Sequence, residues 1–157
     1  MAQSLTAIYL HIIFSTKDRM PLIDDLLRPR LWQYLGGICK AENCNPVRIG
    51  GTADHVHILC TLSKNTTTTN LINLLKTNSS KWIKSFSEDH KDFLWQNGYG
   101  IFSINPQELE KVIEYIDNQA QHHAKRDFCE EFLIFVKKYN IEYDEKYSQP
   151  SHNFSIK

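Results

Sequence analysis

The chain has 157 residues, of which 41% are hydrophobic, a composition that fits one compact domain and excludes a disordered or collagenous protein. Its longest apolar stretch, Leu5 to Phe14, is too short to span a bilayer and does not look like a signal peptide, so we expect a cytoplasmic protein without a membrane partner. Residues 1–87 carry a net charge of +5 and residues 88–157 carry −5, so the neutral total does not exclude a nucleic-acid partner.

The first half of the chain predicts three strands and one helix. Residues Leu5–Ser15 alternate between apolar and mixed positions, which indicates a strand. A helix follows at about Asp25–Glu42, and a short second strand is predicted at Pro46–Ile49. The pair Gly50-Gly51 is interpreted as a break before a third strand at Asp54–Leu62.

The second half predicts a polar loop, three helices and one strand. A helix runs from the Thr-rich loop 65–70 to about Phe86, and a fourth strand lies within Phe93–Ser103. Two helices follow, from Asn105-Pro106 to about Lys125 and over Phe128–Tyr139. The order predicts an α+β fold, close to ferredoxin-like, with one four-stranded antiparallel sheet and helices on one face. We expect a single domain over 1–157, with its core at about 5–147 and a polar tail at 148–157.

The triplet His55-Val56-His57 is the most informative part of the third strand. Side chains on a strand alternate between its faces, so both histidines lie on one face, with backbones about 7 Å apart. Two imidazoles in that position can bind one metal ion. Hydrogen-bonded interior or edge histidines are the other interpretation, and the triplet alone does not decide between them.

Tyr115 and Gln119 lie one turn apart on a flank of the helix from Pro106. Tyr115 can therefore stand beside the core with its hydroxyl accessible, and Gln119 can reach the same point. A boundary tyrosine with an exposed glutamine would give the same spacing. The predicted core face of this helix consists of Leu109, Val112, Ile113, Ile116 and Ala120.

Together these features resemble a known family. The stretch Asp54–Leu59 (DHVHIL) is similar to the HUH signature, and Tyr115–Gln119 (YIDNQ) is similar to its downstream Tyr-x-x-x-Gln partner. The segments Trp95–Ser103 and Lys76–Lys81 also resemble that family. The resemblance is to the single-tyrosine HUH transposases of the smallest bacterial insertion sequences, including transposases of the REP-associated tyrosine type.

The resemblance implies a transposase that cleaves and rejoins single-stranded DNA at the ends of an insertion sequence. In such an enzyme His55, His57 and Gln119 would hold a divalent metal, Mg²⁺ or Mn²⁺. These three neutral ligands would leave the positive charge of the ion available to polarise a phosphate. Tyr115 would attack the scissile phosphorus and become linked to the 5′ phosphate.

The resemblance also implies partners. It implies DNA with hairpin ends, and a homodimer in which the histidines of one subunit work with the tyrosine of the other. One face of the predicted helix that ends at Phe86 is interpreted either as a phosphate-contacting surface or as an ordinary solvated helix face, and Arg48 is a further candidate for contacting phosphate. The residues of that face are Lys76, Ser80, Lys81 and Lys84.

Other interpretations stay open. The chain could be a domesticated or inactive single-stranded DNA-binding relative, or a metalloenzyme that uses the His-x-His pair without DNA. His123 lies four residues after Gln119, which allows a ligand or proton-transfer role, but exposed polar histidines at a helix end are the favoured interpretation of His122 and His123. His11 on the first strand has a similar status. Asp54 is expected to point away from the face of the histidine pair.

Overall fold

A sheet of four strands organises the part of the chain that the structure describes. The structure is a computed structural model and describes residues 2–123 and 126–143. The predicted tail 148–157, the predicted end of the core at 147 and the predicted helix end at Lys125 lie outside these residues. In chain order the elements are β1 (Tyr9–Ser15), α1 (Leu27–Ala41), β2 (Pro46–Gly51), β3 (His55–Thr61), α2 (Thr68–Phe86), β4 (Gly100–Ile104), α3 (Leu109–Asp117), α4 (Gln119–His123) and α5 (Phe128–Lys138).

The strands lie in the order β2-β3-β1-β4, and each neighbouring pair is antiparallel. This order is that of the split β-α-β arrangement, so the predicted α+β, ferredoxin-like fold is confirmed. The strand β3 lies inside the sheet, where His57 is opposite Ile13 of β1 and Gly50 of β2. The histidine pair therefore lies at the centre of the sheet instead of at its edge.

Helices cover both faces of the sheet, which corrects the expectation of helices on one face. Strands that are buried on both faces need a cover on each side, and β1 and β3 are buried along almost their whole length. The main core lies on one face, and α5 packs against Ile13 and Phe102 on the other. The sheet residues of the main core include Leu10, Ile12, Phe14, Val56, Ile58 and Cys60.

The longest described helix, α2, is amphipathic as predicted. It buries Leu71, Leu75 and Ile83 in the main core. Its N-terminus is capped by the Thr67 side chain, which accepts a hydrogen bond from the backbone N–H of Asn70. Among the described residues, no helix combines the length and the apolar character that crossing a bilayer requires.

β1 and β3 are shorter than predicted, and β3 covers His55–Thr61 instead of Asp54–Leu62. β1 begins at Tyr9 instead of Leu5, whose side chain is 81% exposed and has no strand partner to pair with. β4 begins at Gly100, within the predicted segment Phe93–Ser103, and the residues before it form a loop in which Gly98 has φ +92°. Within that loop Trp95 pairs with Thr16 through a single β-bridge.

The predicted helix from Pro106 is divided at Asn118. After a short 3-10 turn, α3 ends at Asp117, and Asn118 has φ −99° and ψ 20°, outside the α-helical range. The break changes the phase of the helix, so Gln119 is buried and Ala120 is exposed. The prediction that Ala120 belongs to the core was therefore wrong.

Gly50 allows α3 to lie against the sheet. The structure continues β2 through Gly50 and Gly51, so the predicted break at these two residues was wrong. A β-carbon on Gly50 would lie 2.8 Å from Cγ2 and 3.1 Å from the carbonyl oxygen of Ile116 on α3. Tyr115 precedes Ile116 on α3. The absence of a side chain at Gly50 therefore lets α3, and with it Tyr115, lie close to β3.

We expect Gly50→Ala to lower the free energy of unfolding by about 1–3 kcal/mol, the usual range for overpacking a buried contact. Gly37→Ala is the matched control, because a β-carbon there meets no atom within 4 Å. In the helix α1 that change should raise stability by about 0.5–1 kcal/mol. Urea unfolding of both variants measures the difference, and a Gly50→Ala protein as stable as the wild type would contradict the close contact.

Candidate active site

His55 and His57 form the floor of the site. Both side chains lie on the face of β3 opposite the main core, and both are 0% exposed. Their ring centroids are 5.0 Å apart. The alternation of β3 thus places the two imidazoles together, as the sequence predicted.

His55 is oriented by two residues that precede it. Its Nδ1 lies 2.7 Å from Oδ1 of Asp54 and 2.9 Å from Oγ1 of Thr52. A carboxylate at Nδ1 holds the proton on that nitrogen and directs the lone pair of Nε2 into the site. The expectation that Asp54 points away was wrong, because β3 begins at His55 and the alternation does not extend to the bend before it.

His57 is oriented by another histidine. The Nε2 atom of His11 lies 2.8 Å from Nδ1 of His57, and His11 is buried. Burial, together with the neighbouring His57 and Lys138, lowers the pKa of His11 well below its usual value. A neutral His11 can accept the Nδ1 proton of His57, which leaves Nε2 of His57 directed into the site. His11 is therefore not an exposed polar histidine, which was the favoured interpretation of the sequence, but a buried partner of His57.

Gln119 brings an amide oxygen to the first of these nitrogens. Its Oε1 lies 3.0 Å from Nε2 of His55, while its Nε2 group donates to the backbone oxygen of Tyr115 at 3.2 Å. With the His55 proton on Nδ1, two lone pairs face each other at hydrogen-bond distance. The lone pairs of His55 Nε2 and Gln119 Oε1 repel each other at this distance. A proton or a metal ion bound by both atoms would remove the repulsion.

A carboxylate that the sequence analysis missed completes the cluster. Glu131 of α5 is 5% exposed, and its Oε1 lies 3.3 Å from Nε2 of His57 and 3.2 Å from the donating Nε2 of Gln119. Its Oε2 lies 3.8 Å from Nε2 of His55. Burial raises the pKa of Glu131 to about 7, although the nearby His55 imidazole opposes the rise.

One sequence signal could have identified Glu131. Phe128, Phe132 and Phe135 lie on the apolar side of α5, and Glu131 shares that side at helical spacing. Acidic residues near a helix N-terminus are common because they favour the helix dipole, so this one did not stand out. Its role becomes visible only once α5 is packed on the sheet.

The donor set fits a divalent metal. Ligand atoms of His55, His57 and Glu131 all lie within 4.8 Å of one another. Imidazole nitrogens with a carboxylate oxygen are ordinary ligands for first-row divalent ions. The carboxylate of Glu131 thus joins the predicted neutral ligands as a group that could bind the same ion.

Tyr115 lies beside this cluster in the same chain. Its ring centroid is 5.7 Å from that of His57, and its hydroxyl donates a hydrogen bond to Oε1 of Glu131. The side chain is half-buried. The structure therefore brings together the four residues Tyr115, Gln119, His55 and His57 that the sequence singled out.

The predicted DNA-contacting residues of α2 lie around a groove of about 360 Å³. Lys76, Ser80, Lys81 and Lys84 line it, together with the loop that contains Leu94 and Asn97. Lys81 and Lys84 are exposed. The Lys76 ammonium instead donates to the backbone oxygens of Gln96 and Gly98 at 2.8 and 2.6 Å, and burial lowers its pKa to about 8.

The remaining predicted residues lie apart from the cluster or outside the described side chains. Arg48 is half-exposed on β2, and its Nε lies 3.4 Å from Oδ1 of Asp117. That contact links β2 to the end of α3. The side chains of His122 and His123 lie outside what the structure describes, so their interpretation stays a prediction.

We expect His11→Phe to weaken Mn²⁺ binding by about 10-fold to 100-fold, the usual effect of losing a partner that orients a metal-binding histidine. His11→Gln should keep most of the affinity, since its amide oxygen can accept the same proton from His57. Isothermal titration calorimetry with Mn²⁺ measures both. Equal affinities for His11→Phe and the wild type would show that the His11–His57 bond does not orient the site.

Comparisons with known proteins agree with this geometry. Residues 4–119 match the family described as "Transposase IS200 like", whereas no curated protein sequence gives a significant match. A solved structure from Deinococcus radiodurans R1, described as a transposase, is similar with a TM-score of 0.59 and 20% identity, over 76% of this chain and 96% of that one. A REP-associated tyrosine transposase bound to a REP hairpin is similar with a TM-score of 0.55 and 11% identity, over 78% of this chain and 74% of that one.

At these identities the two structures establish the fold, and the sequence match over most of the chain establishes the family. The matched region contains β3 with the histidine pair and ends at Gln119. It does not include α5, which carries Glu131. The chain belongs to the IS200-like transposase family.

Proposed function

We propose that this transposase cleaves and rejoins single-stranded DNA at insertion-sequence ends through a covalent link between Tyr115 and a 5′ phosphate. One observation carries the proposal: the Tyr115 hydroxyl and the buried imidazole of His57 meet at the same carboxylate oxygen of Glu131. A hydroxyl nucleophile beside a cluster of metal-ligand atoms is the arrangement that metal-assisted attack on a phosphate requires.

In this reaction the Tyr115 oxygen forms a bond to phosphorus, and the bond from phosphorus to the 3′ oxygen breaks. The phenol loses its proton and the leaving 3′ oxygen gains one. A different 3′ hydroxyl then attacks the phosphotyrosine, which restores the phosphodiester and releases Tyr115. The exchange conserves the number of ester bonds, so it needs no ATP.

The proposed ligands of the metal are His55, His57 and Gln119, and the proposed ion is Mg²⁺ or Mn²⁺. Once bound, such an ion stabilises the negative charge that develops on the phosphate in the transition state. Asp54 and His11 hold the two imidazoles so that their Nε2 atoms face the site. Because the substrate is DNA, the cytoplasmic location expected from the sequence is part of this proposal.

We expect a covalent DNA–protein adduct when the protein is incubated with Mn²⁺ and single-stranded DNA that carries the sequence flanking its gene. The adduct should survive denaturing electrophoresis, and a metal chelator should abolish it. Tyr115→Phe should form none, because it lacks the attacking oxygen. Tyr99→Phe removes a partly exposed tyrosine outside the cluster and should react like the wild type. Adduct formation by Tyr115→Phe would falsify the proposal.

The proposed DNA surface includes the groove along α2. The similarity to a transposase bound to a REP hairpin supports hairpin DNA as the ligand class here. Lys81 and Lys84 are the exposed lysines that line the groove, and Ser80 lies between them and Lys76. Arg48 is a further proposed contact on β2.

We expect Lys81→Ala and Lys84→Ala each to reduce the salt dependence of DNA binding, with a slope smaller by about 0.7–0.9 per lost phosphate contact. Lys40→Ala, which changes an exposed lysine on α1, is the control. Lys76→Ala should instead lower stability by about 1–3 kcal/mol, since two carbonyls lose their donor. Fluorescence anisotropy at several salt concentrations measures the DNA-binding slopes, and urea unfolding measures stability. If Lys81→Ala and Lys84→Ala have the same slope as Lys40→Ala, the groove is not the DNA-binding surface.

The proposed assembly is a homodimer. In the described chain Tyr115 lies beside His57 of the same chain, so an exchange of helices is not needed to bring them together. A mixture of His57→Ala and Tyr115→Phe proteins should therefore form no more adduct than either variant alone. Adduct formation restored by mixing would show that the subunits share their active sites, as the sequence resemblance implies.

A further inference from the structure

The Glu131 carboxylate lies between the nucleophile and the metal-facing nitrogens. Its Oε1 accepts from the Tyr115 hydroxyl, lies 3.2 Å from Nε2 of Gln119 and lies 3.3 Å from Nε2 of His57. Its second oxygen is directed at His55, 3.8 Å from Nε2. The Glu131 carboxylate thus contacts both the proposed nucleophile and the proposed metal ligands.

A scissile phosphate needs the same two sets of contacts. Its phosphorus must lie within reach of the Tyr115 oxygen, and one of its non-bridging oxygens must lie within reach of the metal ligands. A carboxylate resembles this part of a phosphodiester, since both present a pair of oxygens that share one negative charge. Two such anions cannot occupy the position at once without strong repulsion in a buried site.

The helix α5 closes the site to DNA. His55, His57 and Gln119 are buried, and the ring of Phe128 on α5 lies 5.1 Å from that of His55. Phe135 of the same helix lies 5.7 Å from the Tyr115 ring. A DNA strand reaches the imidazoles only if α5 moves.

The packing of α5 allows this movement. It belongs to a second, smaller apolar cluster whose sheet residues are Ile13 and Phe102. The main core, formed by α1 and α2 on the other face, does not include α5. Displacing α5 therefore leaves the main core and the histidine-bearing strand intact.

We propose that Glu131 occupies the position of the scissile phosphate in the DNA-free protein, and that single-stranded DNA displaces Glu131 together with α5. This inference rests on the proposed function. It assigns the phosphate position to the space between Tyr115, Gln119 and His57, and it makes Glu131 an internal competitor of the substrate.

The test compares Glu131→Ala with Glu130→Ala. Both variants remove one carboxyl group from the same turn of α5, but Glu130 is exposed and Glu131 is buried. Binding of fluorescein-labelled single-stranded DNA from the gene's flank, in Mn²⁺, should be about tenfold tighter in Glu131→Ala than in Glu130→Ala, as expected when a competing closed state that dominates the population is removed. Circular dichroism checks that both variants fold.

A second readout uses the wild-type protein, so the proposal can be tested even if Glu131→Ala fails to fold. Hydrogen exchange of the α5 amides should become faster when the DNA is bound, while exchange in β1 and β3 stays unchanged. Equal DNA affinities of the two variants, or α5 amides that remain protected with DNA bound, would overturn the inference.

Adduct formation separates this inference from the proposed function. If the wild-type protein forms the Tyr115 adduct while the α5 amides stay protected, the proposed function stands and the inference is wrong. If the wild-type protein forms no adduct with this DNA, the proposed function is wrong, and so is the phosphate position inferred from it.

Discussion

Polar side chains on a buried face of the sheet must satisfy one another, since water does not reach them. His55 and His57 lie at the centre of the sheet, and each has a partner that fixes its ring: Asp54 for one and His11 for the other. Gln119 and Glu131 enter from helices above the sheet and bring oxygens close to the Nε2 atoms of the two imidazoles. The positions of α4 and α5 therefore depend on the same network that would bind the metal.

Local sequence patterns predicted the parts of the site that local geometry determines. The alternation of β3 predicted that His55 and His57 share a face, and helical spacing predicted that Tyr115 and Gln119 lie together. The α+β class with one antiparallel sheet followed from the order of elements. These predictions depend on a few neighbouring residues, and tertiary packing did not alter them.

The parts that the sequence analysis missed depend on contacts between distant segments. Glu131 meets the histidines because α5 returns to the sheet, and nothing in the residues around it specifies that partner. His11 meets His57 because β1 pairs with β3, with Ile13 opposite His57. Asp54 was misjudged because a strand pattern was extended by one residue into a bend.

The break at Asn118 has a mechanical consequence. Tyr115 lies on α3 and Gln119 lies on α4, so two separate helices carry them instead of one continuous helix. A rotation of α3 about Asn118 would move Tyr115 relative to Gln119, and it would break the hydrogen bond that the Gln119 side-chain amide donates to the Tyr115 carbonyl. The close contact of Ile116 with Gly50 and the ion pair of Asp117 with Arg48 would oppose the same motion. A DNA end linked to Tyr115 would move together with α3, which is about 13 Å long at the usual rise per residue.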